Sequence, residues 1–148
     1  MLIVTELNVL VIDDNDHGRS QTKQVLNRLG ITNVQTVSDA VNGFEILNDG
    51  KIDVVFLDWY MPEINGAGLV RLVRSGISKC RKDIPIIITT AYSTRENTTR
   101  IRELELKEVL SKPFTSKQLG SALSIAYARA EPKLDLDGVD EEPDQYLV

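Results

Sequence analysis

Very little in this sequence offers covalent or membrane-borne stability. There is one cysteine, Cys80, which excludes an internal disulfide. It lies in the polar stretch SKCRKD and reads as a free loop thiol in a reducing compartment. Nowhere do about 18 consecutive apolar residues occur, the length a membrane helix needs. The opening residues MLIVTELNVLVIDD lack the basic start and small-residue cleavage site of an export signal. A cytoplasmic protein without membrane insertion is therefore expected. There is also no excess of basic charge: the chain carries a net charge of −5. Residues 131–148 hold seven acidic residues and one lysine, so residues 1–130 carry only +1. A near-neutral body with no basic stripe gives no electrostatic case for direct nucleic-acid binding.

What is present is a β-α rhythm. At 148 residues the chain suits one domain, expected over residues 1–130, followed by an acidic tail over 131–148. Three runs, LNVLVI (7–12), DVVFL (53–57) and IPIIIT (84–89), are apolar without strict alternation, as strands buried on both faces are. NVQTV (33–37) and KEVL (107–110) are shorter and more mixed, as strands near a sheet edge are. Between them lie apolar sets at helical spacing: Val25, Leu26 and Leu29; Val41, Phe44 and Leu47; Leu69, Leu72 and Val73. Each ends near Gly or Asn, the usual helix stops. A further helix is predicted from about Ser116 to Arg129, with Leu119, Ala122, Leu123 and Ala126 on one stripe. STRENTTRIREL (93–104) has only Ile101 and Leu104 as apolar anchors and should be a weakly held helix. Five β-α units without internal repetition predict a doubly wound α/β fold with a parallel sheet.

In such sheets the ligand site lies beyond the carboxyl ends of the strands. The residues there are Asp13-Asp14, Asp58, Thr89-Thr90 and Ser111-Lys112-Pro113. Clustered carboxylates repel one another and imply a cation. Hard oxygen ligands partly open to water suit Mg²⁺. Lys112 adds a fixed positive charge and Thr90 a hydroxyl donor, which together are what a phosphoryl group needs to spread its charge. A carboxylate at the centre, Asp58, can then act as nucleophile and carry an aspartyl phosphate. Asp14 or Asp16 is a candidate helix cap, and His17, the one histidine, reads as a helix-start residue.

The ordered set VLVIDD, VVFLDWYMPEINGAGL, IIITTAYS and VLSKPF resembles the receiver domain of two-component response regulators, over roughly residues 6–130. The resemblance implies a flavodoxin-like (CheY-like) five-stranded parallel sheet in the order 2-1-3-4-5. It makes Asp58 the phosphoacceptor, and gives Asp13, Asp14 and the backbone carbonyl of Tyr60 to Mg²⁺. Thr90 then contacts the phosphoryl group, Lys112 pairs with it, and the bond to Pro113 is cis. Gly66 is expected to let the chain turn tightly into the next helix. The implied activity is phosphoryl transfer from a histidine kinase or histidine phosphotransfer protein. The resemblance implies a phosphoacceptor and not an enzyme, beyond loss of its own phosphate.

The pattern has departures. The aromatic that receivers often carry three residues before the lysine is replaced by Val109. Tyr92, two residues after Thr90, can take over the switch; Tyr60 and Tyr92 are expected to flank the path of attacking water and to screen the phosphate. No recognition helix or ATPase signature follows residue 130, so output is expected in trans, through the face formed by the fourth helix, fifth strand and fifth helix. The tail is either a solubilising end or folds over the fourth helix, where Arg95, Arg100, Arg102 and Lys107 would meet its acids, with Leu134, Leu136 or Tyr146 as anchors. Rival readings are a phosphorylation-independent binding module and an aspartyl phosphatase. Phosphatases of the dehalogenase kind want acids two residues apart, and Asn15 stands at that position. A flavodoxin is disfavoured because acids would repel the flavin phosphate.

Overall fold

The computed structural model describes residues 2–59, 66–91, 99, 108–128 and 134–135. Five parallel strands form the central sheet: β1 (Asn8–Ile12), β2 (Asn33–Val37), β3 (Val54–Asp58), β4 (Ile86–Thr90) and β5 (Val109–Ser111). Their spatial order is 2-1-3-4-5, as expected. The described helices are α1 (Asp16–Arg28), α2 (Ala40–Leu47), α3 (Gly66–Arg74) and α4 (Ser116–Ala128).

Residues of β1, β3 and β4 alternate between two cores, which is why these runs lack polar positions. Val9, Val11, Val54, Phe56 and Ile87 face one core with Val25 and Leu26 of α1 and Leu119 and Leu123 of α4. Leu10, Ile12, Val55, Leu57, Ile86 and Ile88 face the other with Leu47 of α2 and Leu69, Val70 and Val73 of α3. The helix stops work as the glycines predict: Gly30 has φ +85°. Its N–H donates to the Asn27 carbonyl and that of Ile31 to the Leu26 carbonyl, both at 3.0 Å, closing a Schellman motif.

Several expectations need correction. Val41 and Leu72 belong to the apolar sets at helical spacing, yet they are 55% and 43% exposed. The buried face of α2 runs through Ala40, Gly43 and Leu47 instead. The reason is close approach: a Cβ on Gly43 would lie 2.5 Å from Ile12 Cδ1, so the bare backbone sets the helix against the sheet and turns Val41 outward. The loop cysteine, Cys80, is buried in the α2–α3 core. Gly66 has no left-handed backbone; its missing side chain makes room for Leu57 and Trp59, each 3.2 Å from where a Cβ would stand. The cap of α1 is neither Asp14 nor Asp16 but Asn15, whose Oδ1 accepts from the Gly18 N–H at 2.9 Å. Tail residues Leu134–Asp135 pair in parallel with Leu2–Ile3. The predicted helix over 93–104 apart from residue 99, with Tyr60, Pro62, Tyr92, and the remaining tail anchors and arginines, lies outside the described residues.

Gly43→Ala should destabilise by about 1–2 kcal/mol, because overpacking against Ile12 outweighs a helix-propensity gain of roughly 1 kcal/mol. Val41→Ala should change stability by less than about 0.5 kcal/mol. Urea denaturation of the two variants checks which face of α2 is buried.

Candidate functional site

The strand order reverses between β1 and β3, since β1 lies between β2 and β3. A crevice opens at the carboxyl ends of strands on either side of such a reversal. The backbone ladder runs to its edge. The Asp13 N–H donates to the Val37 carbonyl at 3.1 Å, that of Trp59 to Thr89 at 3.0 Å and that of Lys112 to Thr90 at 2.8 Å. Each residue carrying or flanking the candidate chemistry is thus held by a neighbouring strand.

Asp58 and Thr90 are the last residues of β3 and β4, one step inside the strands and not beyond them. Both are buried, as is Asp13 at 1% exposure, whereas Asp14 is exposed. Carboxylate oxygens of Asp13, Asp14 and Asp58 all lie within 4.8 Å of one another. Lys112 reaches this cluster from the end of β5: its Nζ donates to Asp13 Oδ2 at 2.7 Å and stands 3.8 Å from Asp58 Oδ1. The Lys112–Pro113 peptide is cis. Beyond it, Thr115 and Gln118 cap α4 reciprocally, the Gln118 N–H on Thr115 Oγ1 at 3.1 Å and the Thr115 N–H on Gln118 Oε1 at 2.9 Å. Asp13 Oδ1 accepts from the Asn15 N–H at 2.9 Å.

One ammonium cannot balance three carboxylates. An open cleft lined by Asp14, His17, Gly18, Gln21, Asp58 and Lys112 gives a cation or an anionic group access to them. The donor set, all hard oxygen with one carboxylate facing solvent, fits a divalent ion that keeps part of its water. His17 lines this cleft from the first turn of α1. Val109 is 37% exposed on β5 beside Ile125 of α4, with Lys117 and Ser121 lining the same groove.

Two contributors escaped sequence reasoning. Arg19 Nη1 donates to the Asp13 carbonyl at 2.7 Å and its other guanidinium nitrogen pairs with Asp16, pinning α1 to the site. Gly18 lies directly under Asp13 and Lys112. An arginine four residues after a cap and a glycine inside a helix are common, and only proximity separates these from the rest.

Comparison with known proteins places this arrangement. The family model for the response regulator receiver domain matches residues 9–124. The chemotaxis protein CheY of Pseudomonas aeruginosa is 28% identical over 123 residues, 83% of this chain and 98% of that one. CheY-3 of Vibrio cholerae is also 28% identical over 123 residues, 83% of this chain and 93% of its own length. Among solved structures, a response regulator receiver domain protein from Clostridium thermocellum superimposes with a TM-score of 0.72 at 28% identity, covering 83% of this chain and 95% of that one.

Without divalent cations, Asp58→Asn should raise stability, on the order of 1 kcal/mol, because it removes one of three mutually repelling charges within a few ångströms. Thermal melts of the two proteins in a chelator check this; a lower midpoint for the variant contradicts the repulsion.

Proposed function

Because the chain belongs to the response regulator receiver family, we propose that it accepts a phosphoryl group on Asp58 from the phosphohistidine of a histidine kinase or phosphotransfer protein. The observation that carries this is the Lys112 ammonium set between Asp13 and Asp58, 2.7 Å from one and 3.8 Å from the other, in a cleft open to solvent. A carboxylate oxygen of Asp58 attacks phosphorus, the P–O bond forms as the P–N bond breaks, and the imidazole leaves with the bonding electron pair. Lys112 stands where charge on the phosphoryl oxygens develops, and the Thr90 hydroxyl is its hydrogen-bond donor. Asp13, Asp14, Asp58 and the Tyr60 carbonyl would hold Mg²⁺, which would supply charge neutralisation on the transferring group.

The aspartyl phosphate then biases the chain between two partner-binding states. Output runs through protein contact or onward relay, in the cytoplasm, from the receiver domain over residues 1–130. The exposed Val109 and Ile125 and the groove beside them support a docking face on β5 and α4. With Val109 in place of an aromatic, Thr90 couples to this face without the usual rotamer switch, and Tyr92 is the candidate replacement. The chain is a phosphoacceptor with at most autophosphatase activity.

Incubation with Mg²⁺ and a small acyl phosphate, followed by intact mass measurement, should give a labile adduct of one phosphoryl group, abolished in Asp58→Ala. No adduct points to a phosphorylation-independent binding module; steady release of phosphate without an adduct points to a phosphatase. Replacing Tyr60 and Tyr92 together by small polar residues should shorten the adduct's lifetime, read by its decay after donor removal. An unchanged decay removes the two tyrosines as a screen.

A further inference from the structure

Apart from proline, glycine is the poorest helix former, so a glycine in the first turn of α1 runs against local propensity. Gly18 has no conformational excuse, as its φ lies outside the left-handed region. Space explains it. A Cβ there would collide with Asp13 Oδ2, and would lie 3.1 Å from Asp13 Cγ and 3.2 Å from Lys112 Nζ. Among the described glycines, Gly18 alone lies beneath charged atoms. The helix cannot simply back away. Its cap, Asn15, binds the Gly18 N–H at 2.9 Å, and Arg19 ties the same turn to the Asp13 carbonyl at 2.7 Å. Nor does Asp13 have room to yield, being 1% exposed and fixed through Oδ1 to the Asn15 N–H and through Oδ2 to Lys112. Gly18 and Lys112 also line a second, smaller cleft, formed with Thr22, Pro113 and Phe114.

We propose that Gly18 is a positioning residue for the acid site: its bare backbone is the seat on which the Asp13 carboxylate and the Lys112 ammonium are set in their working geometry. Any side chain at this position displaces Asp13 Oδ2 from its partners. The role in cation binding rests on the receiver reading above; the steric role does not.

Two measurements on Gly18→Ala test this. Calorimetric titration with Mg²⁺ should show affinity weakened roughly tenfold or more in protein that remains folded, the size of effect seen when residues orienting metal ligands are changed. In a chelator, Gly18→Ala should lower the thermal midpoint in the native background and raise it in an Asp13→Ala background, where the collision with the carboxylate is gone, the Lys112 ammonium is released from Asp13 to move aside, and the helix-propensity gain is left. If Gly18→Ala alone fails to fold, recovery in the Asp13→Ala background supports the proposal and failure there overturns it. A raised midpoint in both backgrounds, or unchanged Mg²⁺ affinity in folded variant alongside binding by the native protein, also overturns it. If the native protein itself binds no Mg²⁺, the receiver reading fails, while the sign change between backgrounds still decides whether Gly18 seats Asp13.

Discussion

Three carboxylates and one ammonium share the carboxyl edge of a buried sheet, and the rest of the site is arranged around that imbalance. Asp13 and Asp58 are almost removed from solvent, where like charges are screened least. Lys112 satisfies Asp13 at 2.7 Å and lies farther from Asp58, at 3.8 Å, leaving the edge with more negative than positive charge. Such a site has a standing need for positive charge, and that need is its chemical content.

Holding this charge in place is work done by hydrophobic burial at a distance. β1, β3 and β4 are covered on both faces, so the acids at their ends are fixed by strands that cannot shift without opening a core. The backbone bonds from Asp13, Trp59 and Lys112 to neighbouring strands continue the ladder one residue into the site. Lys112 is ninety-nine residues from Asp13 along the chain, and it is the parallel pairing of β5 with β4 that delivers it.

The helices contribute by how closely they approach. Gly43 lets α2 lie against Ile12, and Gly18 lets α1 lie against the acid pair itself. One contact shapes the core and the other the site, and both come from the absence of a side chain. Arg19 and the Asn15 cap then lock the first turn of α1, so the same few residues end the β1 loop, begin the helix and hold Asp13.

The strands, and Asp13, Asp14, Asp58, Thr90 and Lys112 as residues at their ends, were legible in the sequence, because burial on both faces and polar residues at strand ends are local patterns; the strand order came only through the family resemblance. The exposure of Val41 and Leu72, the burial of Cys80 and the Asn15 cap do not follow from the same patterns. Apolar spacing gives the existence of a helix, but its rotation depends on how near the sheet it can come, which Gly43 decides through Ile12. The types and order of the chemical groups are therefore properties of the sequence alone. Tertiary structure alone decided their distances, the exposure of Asp14 beside buried Asp13, and the place of Gly18 under the ion pair, since each depends on chain segments meeting that no local spacing brings together.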